Sequence, residues 1–352
     1  MTAITHSKPW IIDADLEAVR RVLESRMIGQ GERTAEFEAT LAEWVGADGA
    51  VAVGSGSAAL ALALTALGVR AGDEVVIPTY VCASVGEAVA TVGADAVLCD
   101  VGPAWVVTPE AAARVVTRKT RALIVPHMYG IYADVDSFRR FGLPIVEDCA
   151  QAVDYKGKRP LTGDIGVFSF HPTKCLTVGE GGAAVAHDPA LVRALRTRRD
   201  GASAGDRGRL FSPLSDVAAA LGLSQLARYH EALDRRRALA LRYRAALEPI
   251  VREGFVRESF DNGMLFRLPL KVPGGLPVYQ EAFARRNIHV RRGVARLLHR
   301  MRGRPDAGFE TSVDHFETTL SLPLYPALTD DEHAACVRAA LEILSRSESR
   351  CR

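Results

Sequence analysis

Residues 49–186 predict an α/β protein. Short apolar runs alternate there with helical segments, as in a mostly parallel sheet sandwiched by helices. After Asp188 the alternation stops, and a long amphipathic stretch leads into a mixed tail. That change predicts a second, smaller C-terminal α+β domain, and 352 residues suit two domains. The reading divides the chain into a large domain over 1–232, with a helical N-terminal segment, and a small one over 233–352.

The elements follow in order. Asp13 is expected to cap a helix carrying Leu16, Val19, Val22 and Leu23 at helical spacing, and a second helix runs through Phe37, Leu41 and Trp44. Strands are expected at 49–53, 74–78, 96–100, 121–126, 143–148, 167–170 and 182–186. Helices are expected from the GSGSAALALALTALG run, up to Val92, and over 108–116, 135–141 and 189–200. Residues 201–213 read as loop. Ser215 opens an amphipathic stretch to about Leu247, long enough for a bend. Strand-like MLFRLPLKV and a last helix over 330–345 complete the tail.

Composition excludes several classes. The chain is 48% hydrophobic and 24% charged, as in ordinary globular proteins. Its 44 basic and 42 acidic residues argue against a nucleic-acid coat. The start lacks a signal-peptide pattern, and no run reaches the roughly 18 apolar residues of a membrane span. Cys82, Cys99, Cys149 and Cys175 lie in or beside apolar runs, where a reduced cysteine is expected as a small core residue. The expected compartment is therefore the cytoplasm. With no CxxC and no HExxH, no metal site is expected. GxxxxGK[ST] and GxSxG are absent, and Gly54-Ser55-Gly56 lacks the third glycine of GxGxxG. Only six of the 44 basic residues are lysines, so a lysine inside a motif stands out.

Three pieces carry chemistry. Gly54–Leu60 is a strand-to-helix turn whose free N–H groups, small residues and Ser57 hydroxyl suit a phosphate; alone it also reads as a plain turn. Ile145–Gln151 ends a buried strand in Glu147 and Asp148, where α/β ligand sites form; Asp148 also reads as a helix cap. Gly166–Lys174 delivers Lys174 between apolar runs, whereas a lone lysine is ordinarily a solvated charge. Together a phosphate cradle, a strand-end aspartate and an enclosed lysine meet the needs of pyridoxal phosphate.

The same segments resemble the DegT/DnrJ/EryC1/StrS family of sugar aminotransferases, fold-type I enzymes that use pyridoxal phosphate. The match runs through VAVGSGSAALALALTALGVRAGDEVVIPTYV, RALIVPHMYG, GLPIVEDCAQA and GDIGVFSFHPTKCLTVGEGGAAV, then LSDVAAALGLSQL and LSLPLYPALTDDE. By that resemblance Lys174 holds the cofactor through its amine and carries the proton. Asp148 pairs with the pyridine nitrogen, and Gln151 bonds the phenolic oxygen. Ser57, the Ala58 amide and Ser169 bind the phosphate. Cys82 takes the ring-facing position that is usually aromatic; a small buried residue is its other reading. His171 either positions the acceptor and shuttles a proton or is structural.

The resemblance implies an amino donor such as glutamate or glutamine. The implied acceptor is a nucleotide-linked keto-sugar, or a related cyclitol ketone, in amino-sugar, secondary-metabolite or surface-polysaccharide synthesis. It also implies a homodimer. Where the family often has an asparagine that reaches the neighbouring subunit's phosphate, this chain has Phe211, with Ser212 as a weak substitute. Residues 289–304 hold six arginines and two histidines, which read either as a solvated face or as a partner for a nucleotide diphosphate. Two other readings remain: a lyase or dehydratase on the same cofactor, and a non-catalytic sensor. Retention of Lys174 argues against the family's dehydratase branch, and the full constellation argues against the sensor.

Overall fold

The apolar runs between residues 49 and 186 pair into one seven-stranded sheet in the computed structural model, which describes residues 3–153, 161–201, 211–251 and 254–348. The strands are β1 (Gly49–Val53), β2 (Glu74–Pro78), β3 (Asp95–Cys99), β4 (Thr120–Pro126), β5 (Ile145–Asp148), β6 (Ile165–Ser169) and β7 (Gly182–Ala186). Their spatial order is β1-β7-β6-β5-β4-β2-β3. Only β7 runs antiparallel to its neighbours, so the expected mostly parallel sheet is present. The reason lies in the connection. Residues 170–181 join β6 to β7 without a helix, and a parallel return would need a crossover element.

Helices α1 (Asp13–Ser25), α2 (Glu32–Val45), α3 (Gly56–Ala66), α4 (Ala83–Thr91), α5 (Pro109–Ala113) and α6 (Pro189–Asp200) flank the sheet. The expected helix over 135–141 is a 3-10 turn, Asp136–Phe141. Asp13 does not cap α1. Ile12 is the cap residue, and Asp15 accepts its N–H at 3.0 Å. The buried Asp15 carboxylate also accepts from the Ser224 hydroxyl at 2.7 Å, which anchors α1 to α7 (Asp216–Ala227). Of the predicted apolar stripe on α1, Val22 is buried, whereas Leu16 and Leu23 are exposed.

The long amphipathic stretch is two helices. α7 ends at Ala227, and α8 (Tyr229–Val251) starts after a break at Arg228. The Tyr229 hydroxyl donates to the Val153 carbonyl at 2.8 Å, fastening the start of α8 to the sheet domain. Further along, the buried Arg236 donates to the carbonyls of Phe266 and Leu324, at 2.8 and 2.9 Å. The residue 232/233 division falls inside α8.

A second core surrounds the antiparallel pair β8 (Leu268–Lys271) and β9 (Thr319–Leu322). Tyr243, Phe283, Leu320 and Leu344 are buried there, the last on the C-terminal helix (Asp330–Glu348). Ile4, near the start of the chain, pairs with Ile288 and packs in this same core. No helix among the described residues is long and apolar enough to cross a membrane. Most of the predicted 201–213 loop lies outside the described residues, as does Cys351.

Candidate active site

β1, β2, β4, β5 and β6 run in one direction, so their carboxyl ends open at one edge of the sheet. A cavity of about 340 Å³ lies at that edge. Ser57, Cys82, Asp148, Gln151, Ser169, His171 and Lys174 all line it, so residues drawn from four segments meet in one place. A larger depression of about 680 Å³ beside α1 and α2 has no lysine on its walls and no strand ends at it. The chemistry therefore belongs to the smaller cavity.

The Gly/Ser turn is built from β1, α3 and the start of β7. Ser55 caps α3, and its hydroxyl accepts the Ala58 N–H at 3.1 Å. The Ala58 amide is thus already engaged and does not line the cavity, whereas Gly56 and Ser57 do. The turn is tight. A Cβ on Gly56 would stand 2.7 Å from Ser169 Cβ, and one on Gly182 would stand 2.5 Å from the Ser55 carbonyl. Gly182→Ala must displace the backbone of the cap, and overpacking of this kind typically costs about 1–3 kcal/mol. We expect this variant to bind pyridoxal phosphate about tenfold or more weakly, measured by titrating the apoprotein with the cofactor.

β5 delivers Asp148 at its end, where the backbone carbonyl accepts the His127 N–H and one carboxylate oxygen accepts the Ala150 N–H at 3.0 Å. The second reading of Asp148, a helix cap, does not hold: no helix starts there among the described residues, and the carboxylate closes a local turn instead. Burial pushes the Asp148 carboxyl up, while the Ala150 N–H, Lys174 and His127 pull the other way. Lys174 shows the complementary effect: burial lowers its ammonium, the negative Asp148 raises it, and Arg267 lowers it again. Its accessible surface faces the cavity, and Nζ lies 5.4 Å from the centroid of the Phe266 ring. A desolvated amine with a depressed proton affinity is suited to nucleophilic and proton-transfer work.

Beneath Asp148 sits a buried scaffold. His127 Nδ1 accepts the Ala133 N–H at 3.1 Å, so Nε2 carries the hydrogen and donates to Glu147 Oε1 at 2.8 Å. The other Glu147 oxygen accepts the Thr162 and Gly163 amides at 3.0 and 2.7 Å. Burial would raise the Glu147 carboxyl, but His127 and those two amides together hold it below its ordinary value. Cys149 stands close to His127 and Glu147 in a metal-like trio, yet both partners already spend their polar atoms on these bonds. Glu147→Ala leaves the His127 donor and two amides without a partner. We expect a loss of roughly 3–5 kcal/mol, read from urea denaturation of the apoprotein.

Gln151 is oriented by a strained turn. Tyr129 has φ of 59°, and its N–H donates to Gln151 Oε1 at 2.8 Å. The amide Nε2 is left as the cavity-facing donor, its one other contact being Met128 Sδ at 3.5 Å. That end suits a phenolic oxygen acceptor. His171 is exposed at the mouth, with Nδ1 2.9 Å from Thr173 Oγ1 and Nε2 3.9 Å from Glu180.

Two expectations need correction. Cys82 is not a small core residue: it is exposed, precedes α4 and lines the cavity. Cys99 and Cys149 are buried as expected, and Cys175 is half-buried. Within 289–304, the arginines divide. Arg300 pairs with Asp306 and Glu317, Arg302 donates to the Ala96 carbonyl at 2.6 Å, and Arg292 donates to the Phe316 carbonyl at 2.9 Å. Arg304 lies over the Phe309 ring. Arg291 and Arg296 are the exposed remainder. Much of this cluster thus fastens the fold. Phe211 packs against the large core, and its neighbour Ser212 is exposed, its carbonyl accepting the Gly54 N–H at 3.0 Å.

Sequence reasoning missed Phe266, Arg267 and Gly293, which close the cavity from the second domain. The available signal was an arginine inside the apolar run MLFRLPLKV.

The residues fit pyridoxal phosphate: a glycine-tight turn, a buried carboxylate and an enclosed amine on the walls of one cavity. The chain matches the DegT/DnrJ/EryC1/StrS aminotransferase family over residues 9–341. It is similar to the aminotransferase TlmJ from Streptoalloteichus hindustanus, at 29% identity and TM-score 0.89, over 98% of this chain and 100% of that one. It is similar to DesV from S. venezuelae, solved in complex with a ketimine intermediate, at 30% identity and TM-score 0.84 over 93% of each chain. DesI, solved in the presence of its TDP-sugar product, is 26% identical with TM-score 0.89, over 99% of this chain and 95% of that one.

Proposed function

The chain belongs to the DegT/DnrJ/EryC1/StrS aminotransferase family, and from that premise we propose that it moves an amino group from glutamate or glutamine to a nucleotide-linked keto-sugar. The enzyme is an aminotransferase acting on small molecules with pyridoxal phosphate as cofactor. The observation that carries the finer reading is the joint placement of Lys174, Asp148 and the Gly56–Ser57 turn around one cavity. DesI, which was solved with a TDP-sugar product, supports the choice of acceptor. A cyclitol ketone is the nearest variant.

When bound, pyridoxal phosphate supplies the electron sink and the amine carrier. Lys174 anchors it and moves the proton at the donor Cα. Asp148 holds a proton at the pyridine nitrogen. Gln151 Nε2 would donate to the phenolic oxygen, and Ser57, Ser169 and the amides of Gly56 and Ser57 would hold the phosphate. Cys82 lies at the ring face, and His171 borders the acceptor entrance. The exposed apolar side chains of α1 and the turn after it, Leu16, Leu23, Met27 and Ile28, support a homodimer with that face inside. A cytoplasmic setting and a role in amino-sugar, secondary-metabolite or surface-polysaccharide synthesis complete the reading.

Spectroscopy tests it. The purified enzyme should show the visible band of lysine-bound cofactor, and glutamate or glutamine should convert it to the amine-loaded form. Nucleotide-linked keto-sugars should then restore the band. A protein that binds the cofactor but responds to no amino donor is instead a lyase or dehydratase.

A further inference from the structure

The turn after β4 runs against the preference of its own residue. Tyr129 has φ of 59° and ψ of 11°, a left-handed conformation that a bulky aromatic residue rarely adopts, and it is fully buried. Gly130 follows, also left-handed at 80°. Strain of this kind persists only where the surroundings over-determine it. Here the surroundings come from both domains.

The Tyr129 hydroxyl lies 2.9 Å from the hydroxyl of Tyr80, just past the end of β2. Gly293, from the second domain, abuts the same phenol: a Cβ there would stand 2.1 Å from Tyr129 Oη. One residue on, the Gly130 carbonyl accepts the Met264 N–H at 3.0 Å, and a Cβ on Gly130 would stand 2.8 Å from Met264 Cγ. Tyr80 in turn meets the His315 ring edge-on at 6.2 Å. Burial raises both phenols, that of Tyr129 well above its ordinary range, so the pair meets as two neutral hydroxyls.

The strained backbone has one effect at the cavity. It aims the Tyr129 N–H at Gln151 Oε1, at 2.8 Å. A flipped Gln151 amide would set two donors against each other. The turn therefore commits Gln151 to present a donor, Nε2, and forbids the acceptor.

We propose that Tyr129 and Tyr80 are positioning residues for Gln151, and that through them the second domain, by way of Gly293 and Met264, governs how firmly the phenolic oxygen of the cofactor is held as an anion. This rests on the reading above that Gln151 meets that oxygen. A donor there favours the ionised oxygen, and most strongly once the nitrogen joining the cofactor to Lys174 has lost its proton. Weakening the donor should therefore raise the pH at which the visible band titrates.

The test is a pH titration of that band in the cofactor-loaded protein. Gln151→Leu should move the midpoint up by about 0.5–1 pH unit. Tyr129→Phe keeps the ring and loses the hydroxyl, and should move it in the same direction by up to that amount. Combined with Gln151→Leu, it should add nothing further. Tyr80→Phe repeats the measurement from the other hydroxyl without altering the strained residue. A midpoint raised by Gln151→Leu but unmoved by both phenylalanine variants overturns the proposal alone. So does a Tyr129→Phe effect that persists in full without Gln151, which marks a structural role. If Gln151→Leu leaves the midpoint where it is, the reading of Gln151 falls and the proposal with it.

Discussion

Lys174→Ala should lower amine transfer by on the order of 10⁴-fold and abolish the visible band of the bound cofactor. Both effects follow from one atom, because the proposed function assigns Nζ the anchoring and the proton transfer together. The fold should survive, since the lysine ammonium is held below its ordinary proton affinity by burial rather than contributing a favourable bond. The sign of the pH effect follows. The native state binds fewer protons than the unfolded chain between the depressed value and the ordinary lysine value. Apoprotein stability therefore rises with pH through that window. Lys174→Ala should lack this rise in urea titrations of the apoprotein, while single-turnover spectra report the lost chemistry.

Asp148→Asn should reduce turnover by roughly 10²- to 10³-fold. Asparagine keeps an acceptor for the Ala150 N–H and loses only the charge, to which the proposed function assigns the proton at the pyridine nitrogen. The linkage runs opposite to that of Lys174. Burial raises the Asp148 carboxyl, so the native state binds more protons than the unfolded chain between the ordinary aspartate value and the raised one. Wild-type apoprotein stability falls as pH rises through that window, and the asparagine variant should be flat there. Urea midpoints across mildly acidic buffers measure this. An equal slope in both proteins would contradict the burial argument.

The sheet was legible because each strand is a continuous apolar run between turn residues, and burial on both faces demands that pattern. Lys174, Asp148 and Ser57 were legible because each sits at the boundary of such a run. Cys82 misled because Tyr80 and Val81 beside it are buried; the turn into α4 then carries the thiol to the cavity wall. Asp13 misled because Asp15, two residues on, has tertiary partners in Ser224 and Arg228 that no local pattern shows. The 289–304 arginines are not uniformly solvated, since Asp306 and Glu317 from later in the chain reach Arg300, and distant backbone carbonyls take Arg292 and Arg302. Arg267 was hidden because its meeting with Lys174 exists only once the second domain is folded against the first.

Arg236 on α8 grips the carbonyl of Phe266, the residue before Arg267, while Tyr229 at the same helix's start grips the sheet domain. The cavity wall that carries Lys174 and the wall that carries Phe266 are thus written in separate stretches of the gene and joined by one helical rod. Mutations in the second stretch can reshape what enters without touching the anchoring lysine, and small changes in the rod can retune the gap between the walls. Substrate range can drift here by inheritance while the underlying reaction stays constant.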